Sequence, residues 1–175
     1  MIIDFTLNNE KIVVDTNPDT KLSVILRENA IFSAKKGCDK GFCGACTVLL
    51  NGKPIPSCNT PISMVRGGII TTLEHFCNTE DYQDIKTGFN SAGVELCGYC
   101  NAGKIFEAYE IISKQEKPEK EFIAKQVSYF PCNCTETETL VNGIILSANN
   151  RRKRLSTKIA EKTPIKLSGK TYGKK

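Results

Sequence analysis

Lys36 to Cys58 reads KGCDKGFCGACTVLLNGKPIPSC. Its four cysteines, Cys38, Cys43, Cys46 and Cys58, are separated by four, two and eleven residues. Small residues surround the first three: Gly37, Gly41, Gly44 and Ala45. Such a loop can wrap closely around a buried group, because no side chains block its N–H donors and glycine permits φ > 0 where the chain reverses. Gaps of four and then two match the plant-type [2Fe–2S] spacing. Two ferric ions, two sulfides and four thiolates sum to a net negative charge that grows on reduction. Backbone N–H groups aimed at sulfur offset that charge and tune the potential.

The flanking residues build a sheet around this loop. TVLLNGKPIPSC is a hairpin turning at Asn51-Gly52, and IIDFTLNNEKIVV is a second one turning at Asn8-Asn9. GGIITTL is the last strand. NPDTKLSVILREN reads as a helix with Pro18 in its first turn, Asp19 or Thr20 as cap, and Leu22, Ile25 and Leu26 on one apolar face. Strands wrapped on one helix make a small α+β domain over residues 1–76.

Beyond Asn78 the pattern becomes helical. DYQDIKTGFNSAG, GKIFEAYEIISKQ, EKEFIAKQVSYF and TETETLVNGIILSANN each repeat apolar residues at intervals of three or four, with Gly93, Pro118 and Pro131 as punctuation. Four helices with short links predict an all-α four-helix bundle over residues 77–150. Cys97 and Cys100, in ELCGYCNAG, precede the second of these helices, and Cys132 and Cys134 precede the fourth. If those helices lie side by side, the two pairs converge at positive helix ends, which favour thiolates. The ninth cysteine, Cys77, reads as a packed thiol, and His75, the single histidine, as an ordinary residue between the domains. Zinc would also accept four thiolates, which keeps a double zinc-binding interaction module as the non-redox alternative. CGYC alone resembles a redox dithiol but lacks the βαβ context of that motif. The NCT triplet at Asn133 is a chance match to a glycosylation pattern.

The start, MIIDFTLNNE, has no basic segment and no apolar run, so it does not read as a secretory leader. No stretch approaches the roughly eighteen apolar residues that span a bilayer. The expectation is a cytoplasmic chain with reduced thiols and no membrane partner. Charge is unevenly spread. Residues 151–175 carry ten Lys or Arg against the single acid Glu161, a net +9, whereas residues 1–150 carry 14 basic and 18 acidic groups, a net −4. This basic C-terminal tail reads as extended and docked on an acidic partner subunit. RRKR would also suit a nucleic-acid or membrane arm, but aromatic interleaving stops at Tyr172, so no nucleic acid is expected.

With both quartets in hand, the chain is similar to the small iron–sulfur subunit of the molybdenum hydroxylases, the xanthine dehydrogenase and carbon monoxide dehydrogenase family. The likeness covers about residues 1–150 and rests on KGCDKGFCGACTVLLNGKPIPSC, CGYC and CNCT in that order. It implies a plant-type ferredoxin-like β-grasp domain followed by the bundle, each with one [2Fe–2S] cluster. Cys38, Cys43, Cys46 and Cys58 would hold the cluster facing a flavin (FAD) subunit. Cys97, Cys100, Cys132 and Cys134 would hold the one beside the molybdopterin of a large catalytic subunit. The chain would relay electrons within a hetero-oligomeric oxidoreductase and make no bonds itself, since it has no nucleophile, acid–base pair or phosphate loop.

Departures from the family gather around the second quartet. Leu96 stands where a Gln contacts the pterin, Asn101-Ala102-Gly103 replaces Thr-Pro-Gly, Asn133 replaces Arg, and Glu136-Thr137 replaces Gly-Tyr. Either a molybdopterin sits in an altered pocket, or the relay serves a non-molybdenum flavin or iron–sulfur complex.

Overall fold

Asn8 and Asn9 both adopt left-handed backbone, φ 50° and 75°, the conformation that a two-residue hairpin turn demands. They join β1 (Ile2–Leu7) to β2 (Glu10–Asp15), antiparallel with Leu7 opposite Glu10. Strand alternation turns Ile3, Phe5 and Leu7 inward. Asn51 and Gly52 repeat the device between β3 (Thr47–Leu50) and β4 (Lys53–Pro56). β5 (Ile69–Thr71) lies parallel to β1 and antiparallel to β3, giving a mixed sheet in the order β2-β1-β5-β3-β4. The computed structural model describes residues 1–129, 132 and 134–162.

Helix α1 (Leu22–Glu28) lays Leu22, Ile25 and Leu26 on the sheet against Ile3, Phe5, Ile62 and Ile70. It begins later than the sequence suggested. Asn17 accepts from the Asp19 N–H at 3.0 Å and the Thr20 N–H at 3.0 Å, so residues 17–20 form a turn of their own. The Leu22 N–H is satisfied by the Thr60 carbonyl at 2.8 Å. Neither Asp19 nor Thr20 caps the helix, because an across-chain backbone contact has taken that role.

A short helical turn, α2 (Leu73–Phe76), leads to α3 (Glu80–Ala92), α4 (Asn101–Lys114), α5 (Lys120–Val127) and α6 (Thr137–Lys162). These helices share one apolar core built on Phe89, Phe106, Ile112, Ile123 and Ile144. Leu49 of β3 belongs to this core and not to the core of its own sheet. The architecture is therefore α+β, with the helices packed against the sheet through β3.

The basic segment departs from expectation. Arg151 to Lys162 is not extended but continues α6. Arg151, Arg154 and Lys158 fall on one face of the helix, opposite the acidic start of α3. Arg154 meets Glu80 at 3.0 Å and Asp84 at 2.7 Å and also pairs with Asp81; Arg151 meets Asp81 at 3.1 Å; Lys158 pairs with Glu80. Part of the +9 charge is thus neutralised within the chain, where acids also suit the N-terminus of α3. Residues 163–175, with Tyr172, lie outside the described residues, as do Pro131 and Asn133. Among the described residues no helix is long and apolar enough to cross a membrane.

Arg154 is about one-fifth exposed and serves three carboxylates. Arg154→Ala should cost about 1–2 kcal/mol, a charge-assisted network discounted for partial exposure. Thermal melts followed by far-UV circular dichroism will show the loss, and it should shrink as salt is raised.

Candidate functional site

The loop after α1 brings the first quartet together as its composition suggested. Asp39, Gly41 and Gly44 take positive φ, 53°, 82° and 69°, and the chain curls around Cys38. The Cys38 sulfur accepts N–H groups from Lys40 at 3.5 Å, Phe42 at 3.3 Å and Cys43 at 3.4 Å. These donors, Lys40 first and Cys43 next, hold the Cys38 thiol down to about 6. Cys46 ends the loop at β3, and Cys58 sits in the turn after β4, both buried. The Cys58 N–H points at the Cys46 sulfur at 3.4 Å. Burial, and then the neighbouring Cys46 sulfur, push the Cys58 thiol up to about 12.

The second quartet is also assembled. Cys100 is the cap of α4, and Cys134 lies just before α6. Cys97 lies near enough to Cys134, and Cys100 to Cys132, for one thiol to shift the other. The Cys134 N–H donates to Cys132 at 3.4 Å. Burial raises the Cys132 thiol, but the Lys104 ammonium and the N–H groups of Cys134 and Thr135 outweigh it and hold the group at about 7. Burial, followed by Cys132, raises Cys100.

In each quartet the thiols, beyond the effect of burial, act on one another: Cys46 pushes Cys58 up, Cys97 raises Cys134, and Cys132 raises Cys100. Among the described residues no three His, Cys, Asp or Glu side chains close on a single-ion position. Four thiolates would serve zinc as well as iron; it is the four-then-two spacing of Cys38, Cys43 and Cys46 that matches a plant-type two-iron site, which four protein thiolates would hold. The donor chemistry fits as well. Burial first, and then the Cys46 sulfur, oppose ionisation of Cys58, a cost that a cationic metal held by both sulfurs would offset.

The quartets touch. A Cβ on Gly103, in the first turn of α4, would lie 2.8 Å from the Gly44 Cα and 2.9 Å from its carbonyl oxygen. Glycine is what lets the helix meet the first loop backbone to backbone. Tyr99, between Cys97 and Cys100, reaches back so that its hydroxyl lies by the Cys43 sulfur, both facing Gly37. A Cβ on Gly37 would clash with both, 2.6 Å from the Cys43 sulfur and 2.7 Å from the Tyr99 oxygen. Lys35 adds a further tie, its ammonium donating to the Gly98 carbonyl.

Several residues find other work. Cys77 is half-buried and donates to the Glu74 carbonyl at 3.1 Å. His75 hydrogen-bonds Asn9 at 3.3 Å, away from both quartets. Leu96 is partly buried against the helical core, and Asn101 accepts the Gly98 N–H at 3.0 Å. Sequence reasoning passed over Lys104, which is 5% exposed beside the second quartet. Its signal was phase: Lys104, Ala108 and Ile111 lie on one face of α4, so a cation stands in the apolar stripe.

Comparison with known proteins agrees with this arrangement. The "2Fe-2S iron-sulfur cluster binding domain" family matches residues 11–86, and the "[2Fe-2S] binding domain" family matches residues 72–145. Each match encloses one quartet. The chain is 35% identical to the nicotinate dehydrogenase small FeS subunit of Eubacterium barkeri, over 76% of this chain and 85% of the relative. It is 32% identical to the xanthine dehydrogenase iron-sulfur-binding subunit of Escherichia coli O157:H7, over 82% of this chain and 91% of the relative. Its fold is similar to the crystal structure of quinoline 2-oxidoreductase from Pseudomonas putida 86, with a TM-score of 0.76 and 31% identity over 87% of this chain and 96% of that one. With two 2Fe-2S binding domains in this order, the chain belongs to the small iron–sulfur subunits of the molybdenum hydroxylase family.

Proposed function

We propose that the chain is a two-centre electron relay. In this reading Cys38, Cys43, Cys46 and Cys58 hold one [2Fe–2S] cluster, and Cys97, Cys100, Cys132 and Cys134 hold another. A β-grasp domain over residues 1–76 carries the first and a four-helix bundle over 77–150 the second. The relay joins a molybdopterin-bearing catalytic subunit to an FAD-binding subunit in a cytoplasmic hetero-oligomer. Bound there, the clusters supply one-electron uptake and release.

The gathering of four mutually interacting thiols at each of two sites, with the sites in direct backbone contact at Gly103 and Gly44, carries the reading. The chain's own residues have three tasks. Backbone N–H groups around Cys38 steady negative charge on sulfur. Ala45, Cys46 and Cys58, all buried, keep water from the inner side of the first quartet. Tyr99 and Lys35 fix the second thiol loop onto the first. Phe42, 68% exposed beside Cys43, offers an apolar contact for the subunit that exchanges electrons there.

One observation favours the alternative setting, the same relay in a non-molybdenum complex. Leu96 is packed against the helical core and offers no polar group to a pterin. Molybdenum and pterin analysis of the native complex decides between the settings: stoichiometric molybdenum removes the alternative.

Anaerobically isolated protein should contain about four irons and four sulfides per chain; iron-free, zinc-bearing protein overturns the relay. Cys100→Ser in the assembled complex should abolish substrate-driven flavin reduction while leaving the first cluster's electron paramagnetic resonance signal. Tyr99→Phe deletes only the hydroxyl that meets Cys43, so it should lower the first cluster's reduction potential and spare the second's. Potentiometric titration of both signals checks it.

A further inference from the structure

Lys104 is a buried cation without a carboxylate. It is 5% exposed, one turn into α4. Its ammonium donates to the Glu95 carbonyl at 2.7 Å and to the Thr135 hydroxyl at 3.0 Å. Two of the three ammonium donors are met by these neutral oxygens, and the ammonium holds the nearby Cys132 thiol down. Among the described residues the ion pairs leave Lys104 out. Glu107, one turn on, has Glu110 and Lys114 as its charged neighbours.

A buried charge needs an opposite one. Its ion-pair partner is supplied by no carboxylate among the described residues, and its field reaches all four thiols of the second quartet: Cys97, Cys100, Cys132 and Cys134. Among the described residues no buried lysine stands in this relation to the first quartet, where Cys38 is steadied chiefly by backbone N–H groups. The two sites thus handle negative charge by different means.

Resting on the reading that the second quartet holds a [2Fe–2S] cluster, we propose that Lys104 is the internal counter-charge of that centre and raises its reduction potential. One-electron reduction makes the four-thiolate centre more negative by one charge, and no proton or bond is exchanged. A fixed cation favours the more negative state, the more so where water is excluded. The positive end of α4 acts in the same sense. Lys104 therefore draws electrons toward the second centre and away from the first. It is a positioning residue in one further respect: it clasps residue 95 to residue 135, the segments that bring in the two thiol pairs. Thr135 closes that clasp, accepting the Glu95 N–H at 3.1 Å and donating to the Glu95 carbonyl at 3.0 Å.

Lys104→Gln in the complete complex keeps a donor and removes the charge. Iron and sulfide are assayed first, and both centres are then titrated by electron paramagnetic resonance. The second centre's one-electron reduction constant should fall about tenfold, which is about 59 mV, with the first centre unmoved. Thr135→Val, which breaks the clasp and keeps the charge, should leave the midpoint near that of the parent protein. A Gln variant with full iron and an unchanged midpoint overturns the inference, and so does an equal fall in Thr135→Val. Where Lys104→Gln holds only one cluster, Lys104→Arg decides. Full loading at the parental midpoint supports the counter-charge, and a missing cluster or lowered midpoint leaves only a structural clasp. An iron-free parent protein instead overturns the relay reading itself.

Discussion

Four sulfurs gathered at one site repel one another as soon as they ionise, and the rest of this structure answers to that constraint. Without compensation the cost appears at Cys58, whose thiol is driven up to about 12 by burial beside Cys46. Three kinds of compensation surround the quartets: inward N–H groups at Cys38, the start of α4 at Cys100, and the ammonium of Lys104. Left-handed residues, tight hairpins and close glycine contacts all serve to put such donors where sulfur is.

The sheet was largely legible in the sequence because its turn residues are local signals. Asn8-Asn9 and Asn51-Gly52 need left-handed backbone, and few residue types tolerate it. The cysteine spacing likewise carried the first quartet, since its ligands lie within one loop and the following hairpin. Joining CGYC to CNC required two helix starts to meet, and helix periodicity made that inference available. The start of α1 was not legible: a backbone contact from Thr60, nearly forty residues on, replaced the side-chain cap that local sequence offered.

The basic segment failed for a related reason. Low apolar content from Arg151 onward reads as the end of a helix when the segment is viewed alone. Its order comes from Glu80, Asp81 and Asp84, about seventy residues earlier, and long-range charge pairing leaves no periodic mark in hydropathy. Lys104 escaped notice in the opposite way. A lysine in an apolar stripe looks like a surface residue slightly out of phase, and only the packing of α4 shows it buried.

Leu49 lends a strand side chain to the helical core, and Gly103 sets a helix on the backbone of Gly44. Such seams join the two halves through backbone as well as side chains. In the proposed relay the spacing between the sulfur sites follows from how the polypeptide packs, and traffic through the subunit from the relative energies of its stations.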